Sequence, residues 1–363
     1  MFRTQSIYLP LHGGKAPFWL LNRMKKLSKI IISVIIDEFG EKEFFQRISN
    51  PIFFQSFSNV LGFDWNSSGV TTVMTGVLKS VLNCSDFNIR IAGGKGNQAR
   101  KTPEHIKKYA EELDVDVELL VRNSKLSARI DGNALQDGYD LYHHAVIFSE
   151  NYFTVIQQGM NAEKKLARRY HFAPSKLRDV ELSGDVHSGI ISVRKEADVI
   201  NLVSEKSKEC RKTILDIIKS PDSLKKDVEL ISVKKIPRGQ STLGGVIFDF
   251  AVPARLNWNA VERAYDLDVD SFEDFLLIEG MGKATVRALA LIADLIYNSE
   301  YDRQDPAKYS FALGGKDGVP FPVNTGVYDE TIQFLSSVIE QSSLDRFEKE
   351  KIEKKIRTIQ IHH

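Results

Sequence analysis

The stretch "AVIFSENYFTVIQQGM" (Ala145–Met160) decides the fold class. Two runs rich in Val, Ile, Phe and Tyr are broken by Ser149-Glu150-Asn151, the pattern of two strands joined by a short turn. Elsewhere the apolar residues mostly recur at helical spacing. The expected architecture is therefore α+β and helix-rich, a mixed N-terminal domain followed by a C-terminal helical domain.

On the N-terminal side, Leu20, Leu21, Met24, Leu27, Ile31, Val34 and Ile35 form a helical stripe with Arg23, Lys25, Lys26 and Lys29 mostly off it, so the spacing predicts an amphipathic helix stopped by Gly40. Residues Asn50 to Met74, dense in aromatics and small polar residues, are expected as packed loops, with Asp64, Trp65, Ser67 and Ser68 lining a pocket. Thr102-Pro103-Glu104 is a helix start, and a second helix is expected from near Asp114.

On the C-terminal side, Glu196 to Lys226 reads as charged helix and "IPRGQSTLGG" (Ile236–Gly245) as a turn-rich stretch. The expected division is 1–195, a connector over 196–235, and 236–363. The tail Leu344 to Ile359 reads as a charged helix, with Glu350 and Lys354 at i, i+4, and offers a surface for a protein partner or for self-association.

A chain of 363 residues exceeds the roughly 250 to 300 at which single cores stop growing, which favours two domains. Its 42% hydrophobic and 27% charged residues are the balance of a soluble globular protein. A net charge of +1 means that any binding of nucleic acid must come from a local basic patch. Cys84 and Cys210, without CxxC spacing, argue against a disulfide framework or a thiolate zinc site and suit the cytoplasm. The longest apolar run, Ile30 to Ile36, is far short of the ~20 residues that span a membrane, so no membrane partner is expected.

Three copies of Gly-Gly-Lys recur, at Gly13-Gly14-Lys15, Gly93-Gly94-Lys95 and Gly314-Gly315-Lys316. A glycine turn can present bare amides to an anion and a following lysine adds a charge, so a shared phosphate-binding role is expected. None matches GxxxxGK[ST], and no nucleotide cofactor is indicated.

The most specific motif is "SFEDFLLIEGMGKATVRALALIADLIY" (Ser271–Tyr297). Ser271 and Asp274 have the spacing of a capping box, Gly280-Met281-Gly282 breaks the helix, and a second helix with an apolar stripe runs from Lys283. The stretch resembles the helix-hairpin-helix element of DNA-repair proteins. Glycines in such a turn let backbone amides approach a phosphate, and the helix dipole favours its charge. The expected DNA-binding residues are Gly280, Met281, Gly282, Lys283, Thr285 and Arg287.

Together with "LHGGKAPFWLLNRM", "LGFDWNSSGVTTVMTG", "AGGKGNQARKTP", "YDLYHHAVIF" and "KYSFALGGKDGVPFPV", these features are similar to a largely archaeal domain-of-unknown-function family, number 763, over Arg3 to about Val323. That resemblance implies an intracellular protein with a helix-hairpin-helix towards its C-terminal end, and brings no established activity.

Candidate chemistry centres on "LQDGYDLYHHAVIFSE" (Leu135–Glu150). If 133–144 is helical, Asp137, Asp140 and His144 share one face, where they could hold a divalent metal ion or share a proton; His143 would point elsewhere, and it and Lys95, from the second Gly-Gly-Lys turn, complete the candidate catalytic set. That points to a phosphodiester-cleaving nuclease of DNA repair or processing. His143, Glu150, Gly159 and Asn161 are also similar in order to the phospholipase D superfamily motif, with Ala145 where that motif has lysine. Two alternatives remain open. One is a base-excision glycosylase using Asp302, which lies 18 residues beyond Ala284. The other is a non-catalytic binder of DNA structure.

Overall fold

The computed structural model describes residues 16–63, 68–84, 87–176, 186–233, 256–308 and 325–361. It opens with four helices: α1 (Phe18–Val34), α2 (Glu41–Ser49), α3 (Pro51–Leu61) and α4 (Gly69–Leu82). The apolar stripe of α1 is buried at Met24, Leu27, Ile31 and Ile32, and one wider turn carries it to Gly40, whose φ of 85° suits glycine. The packed loops expected over 50–74 are instead α3 and the start of α4. Asn50 caps α3 by accepting from the Ile52 and Phe53 amides at 2.8 and 3.2 Å, and Pro51 takes the first position. Ten of the eleven residues of α3 are buried, so it has no polar face to betray a helical period. Asp64, Trp65 and Ser67 lie outside the described residues; Ser68 is buried at the start of α4.

Strand β1 (Arg90–Lys95) leads through α5 (Asn97–Arg100) to α6 (Thr102–Ala110) and α7 (Val117–Arg129). Both expected helix starts fall close to their places, that of α7 capped by Asp116 through the Leu119 amide. After the two-residue β2 (Leu135–Gln136), the expected hairpin forms from β3 (Asp140–Phe148) and β4 (Tyr152–Asn161). Strands β5 (Leu166–Phe172), β6 (Ser175–Lys176) and β7 (His187–Ile191) complete an antiparallel sheet in the order β1-β3-β4-β5-β7, with β6 beside β4. A separate ribbon pairs β2 with β8 (Ile200–Asn201).

The charged helix expected from Glu196 begins later, as α8 (Lys208–Ile218), followed by α9 (Pro221–Val233); β8 and tight turns occupy the first part of that stretch. Next come α10 (Trp258–Asp266), α11 (Phe272–Leu277), α12 (Lys283–Tyr297), α13 (Thr325–Gln341) and α14 (Arg346–Ile361). In α14, Glu350 accepts from Arg346 one turn earlier, at 3.0 Å.

The sheet is covered on both faces. One face, with Ile91, Ala145, Ile147 and Ile156, packs under α1–α4 and α13; the other, with Val146, Phe148, Val155 and Phe172, packs under α6–α8 and α10–α12. Double burial explains why β3 and β4 read as continuous apolar runs and not as alternation. Polar side chains on such a sheet must find partners inside the protein. No helix among the described residues is long and apolar enough to cross a membrane.

Candidate nucleic-acid interface

Helix α11 starts at Ser271, whose hydroxyl accepts from the Asp274 amide at 3.1 Å and donates to the Asp274 carboxylate at 2.7 Å. The other Asp274 oxygen accepts from Arg122 of α7 at 2.6 Å, which fixes α11 to the layer below. Hydrogen bonding to Ser271, then to Arg122, holds the Asp274 carboxyl below its ordinary range.

The turn between α11 and α12 has two unlike sides. Its carbonyls accept from the protein's own side chains: Met281 O from Asn133 Nδ2 at 2.9 Å and Lys283 O from Gln136 Nε2 at 2.9 Å on the inner side, Gly280 O from Asn257 Nδ2 at 3.0 Å and Glu279 O from Arg263 at the surface. Met281 is buried, while Glu279, Gly280 and Ala284 are exposed. Gly282 stands at the N-cap of α12 and no side chain caps the amides of the first turn.

The two glycines differ. Gly280 has φ of 85°, and a Cβ there would sit 2.7 Å from Asn257 Nδ2, so the fold itself asks for glycine. Gly282 has φ of −100°, and a Cβ there would meet only Gly280 O at 3.9 Å. Lys283 Nζ lies 3.2 Å from Asp140 Oδ1, with both groups open to solvent, and Arg287 follows one turn on, half-buried. Thr285 is not the exposed hydroxyl expected at this interface. It is buried and accepts from the Asn257 amide at 3.1 Å, because it falls on the inner face of α12.

Beneath the turn lie residues 131–140, and their polar side chains form a clasp. Asp131 accepts from Gln157 Nε2 at 2.6 Å and meets His187 Nε2 at 2.7 Å. Asn133 and Gln136 hold the turn carbonyls. Asp137 is buried against Arg168 at 2.8 Å and the Tyr170 hydroxyl at 2.7 Å, and Asp305 joins the same guanidinium at 2.6 Å. Burial raises the Asp137 carboxyl above its ordinary range, with Arg168 pulling against it; burial raises Asp131 likewise, against the pull of His187. Asp140 ends the clasp at Lys283.

A family model described as "Protein of unknown function (DUF763)" matches residues 5–323. The chain belongs to this family. No curated protein and no solved structure matches it.

In this DUF763 protein the helix expected over 133–144 does not exist. A single wide turn over Ile130–Ala134 ends the α7 rod, β2 follows, Gly138 turns the chain at φ of 87°, and β3 begins at Asp140. The two-residue period of a strand sends neighbouring histidines to opposite faces of the sheet. His143 Nε2 is 3.1 Å from Thr75 Oγ1 of α4, whereas His144 Nε2 is 2.9 Å from Ser124 Oγ of α7. His144 Nδ1 donates to Gln157 Oε1 at 2.8 Å, since the Gln157 amide nitrogen is turned to Asp131 and Ser127 O. Burial drives His143 down to about 3, helped by His144 and Lys95, and His144 down to about 4. Both are neutral core groups at physiological pH. Asp137, Asp140, His143 and His144 thus do not converge, and the described residues contain no group of three or more His, Cys, Asp or Glu that could hold a metal ion.

The second Gly-Gly-Lys is the end of β1, not a free turn. A Cβ at Gly93 would lie 2.2 Å from His144 O, so the glycine lets β1 and β3 approach. The Gly93 amide donates to His105 Nδ1 at 3.2 Å and its carbonyl accepts from Lys79 Nζ at 3.0 Å, so neither is left to a phosphate. Lys95 is exposed, its Nζ 5.8 Å from the Tyr142 ring centroid. Gly13, Gly14, Lys15, Gly314, Gly315 and Lys316 lie outside the described residues. Asp302 serves a turn: its carboxylate accepts from the Gln304 amide at 2.9 Å and its own amide donates to Ser207.

Sequence reasoning missed Arg168, Asn133, Gln136 and Asn257. The signal for Arg168 was present in "LARRYHF" (Leu166–Phe172), where two arginines interrupt a strand-like run. The three amide side chains gave none, because Asn and Gln are ordinary in loops.

Proposed function

We propose that α11, its turn and α12 are a helix-hairpin-helix element that holds the sugar-phosphate backbone of DNA, and that the protein works in DNA repair or processing. One observation carries the reading: the carbonyls of the turn are occupied by the protein's own side chains, whereas no side chain caps the amides that begin α12. A helix start presents orphan N–H groups and the positive end of the dipole. Gly282 supports it, since nothing within the chain crowds that position whereas a phosphate seated on the amides would. The exposed Lys283–Asp140 pair is worth under about 1 kcal/mol and is readily exchanged for a phosphate contact. Contacts of this kind follow the backbone and not base identity.

Between cleavage and binding, the geometry favours binding, because Asp137, His143 and His144 are committed to partners in the core. Cys84 and Cys210 are free thiols, which supports the reducing cytoplasm as the place of action.

The test pairs Gly282→Ala with Lys283→Glu and reads retention on a DNA column against salt. Elution at lower salt is expected, with a salt slope smaller by about 1 for each phosphate that the variant no longer neutralises, while thermal stability changes by less than about 1 kcal/mol. Retention equal to that of the native protein at every ionic strength would sink the reading.

A further inference from the structure

From Lys95 to Lys108 the chain carries Lys95, Arg100, Lys101, Lys107 and Lys108 against a single carboxylate, Glu104, in a protein whose net charge is only +1. Lys79 of α4 joins them. Among the described residues none of these six cations is ion-paired, whereas Arg122, Lys164, Lys219 and Arg303 all are.

The cations gather around two rings. Lys79 Nζ is 3.5 Å from His105 Nδ1, and the Lys79 and Lys108 ammoniums stand 5.9 and 5.7 Å from the centroid of the Tyr109 ring. Burial pushes the His105 imidazole below its ordinary range, and the charges on Lys79, Lys101 and Lys108 add to the push against Glu104. Unpaired like charges held this close repel one another, a cost that a polyanion removes.

Their place in the fold joins them to the α12 turn. Lys95 is the register partner of His143 on β3, and Asp140 of the same strand meets Lys283. Three strand residues separate the two points, about 10 Å, or roughly three nucleotides of a B-form strand.

We propose that the surface of β1, α5 and α6 is a second binding face for a nucleic-acid backbone, which runs from the α12 turn past the start of β3 to Lys95 and on to Lys101 and Lys108. This extends the DNA reading of the turn and rests on it for the shared path. Half-buried His105 and Tyr109 between the cations fit a nucleic acid, whose bases stack on rings. A lipid surface fits less well, because the exposed large apolar side chains (Phe18, Trp19 and Phe347 among them) lie on other elements.

The experiment measures binding of a labelled duplex and of a labelled single strand, in several unrelated sequences, to the native protein and to Lys101→Glu/Lys108→Glu. The expected result is affinity at least about tenfold weaker at low salt and a salt slope smaller by about 2, with the same loss for every sequence. Lys101→Ala/Lys108→Ala, with folding checked by circular dichroism, repeats the slope change without introducing acidic groups. Unchanged affinity and slope in both folded variants overturn the inference. If Gly282→Ala/Lys283→Glu weakens binding in the same assay, the reading of the turn survives that failure. The reverse pattern removes the turn and leaves the α5–α6 face as the DNA surface. Vesicles of anionic phospholipid form the last arm: tight vesicle binding that disappears in the charge reversals, with DNA binding untouched, assigns the face to lipid and overturns the proposal.

Discussion

Residues 131–140 and residues 278–283 touch each other and have exchanged the places that their side chains would lead one to expect. The first stretch holds Asp131, Asn133, Gln136, Asp137 and Asp140, and all but Asp140 are buried. The second is made of apolar residues and glycine apart from Glu279 and Lys283, and it leads into a helix start that no side chain caps. A polar side chain states a demand for hydrogen bonds, and that demand can be met in the interior when enough donors and acceptors converge. A glycine states nothing about polarity, yet it exposes the most polar part of the chain, the peptide group.

The hardest blow to this arrangement falls on its buried ion cluster. Arg168→Met leaves Asp137 and Asp305 buried without their cation, and a loss of about 3–5 kcal/mol is expected in urea unfolding. A loss below about 1 kcal/mol would mean that water reaches the cluster and that the clasp is not a core feature.

Acid is the next lever. His143 and His144 are depressed from 6.5 to about 3 and about 4 by burial, so the unfolded chain binds more protons than the folded one between those values. Their contribution is complete above about pH 6.5 and is lost as pH falls, by up to about 1.4 kcal/mol per pH unit for each histidine. Asp131, raised by burial, acts in the opposite sense over part of that range. Comparing His143→Gln with the native protein isolates one histidine: the variant's stability should fall less steeply from about pH 6.5 to about pH 4.5. Parallel profiles would show that His143 is hydrated.

The mildest change tests the link between the two regions. Asn133→Ala strips a donor from Met281 O and should cost about 1–3 kcal/mol. DNA retention should fall with it, whereas Asn161→Ala, which breaks an exposed bond to Gly138 O, should leave retention unchanged.

Local rules make part of this legible in the sequence. The hairpin at Ser149–Asn151, the α1 stripe, the helix starts at Thr102, near Asp114 and at Ser271 and the break at Gly280 each depend on a few neighbouring residues. The aromatic stretch from Pro51 conceals its helix, because a helix buried on nearly every side shows no period. The 133–144 cluster misleads for a related reason: three polar residues can be spaced for a helix and still fall on a turn and a strand, because their partners come from distant elements, β5 for Asp137, α12 for Asp140 and β4 for His144.

The sequence by itself determined where most of the strands and helices begin, because propensity, capping and glycine conformations act within one or two turns of chain. It also determined that positive charge is concentrated between Lys95 and Lys108. Only the tertiary structure decided which polar groups are interior: Gln157, Arg168 and His187 reach the clasp from separate strands, and no local pattern encodes a meeting of residues that far apart. The partners of the turn carbonyls were decided there too, by the remote side chains of Asn133, Gln136 and Asn257.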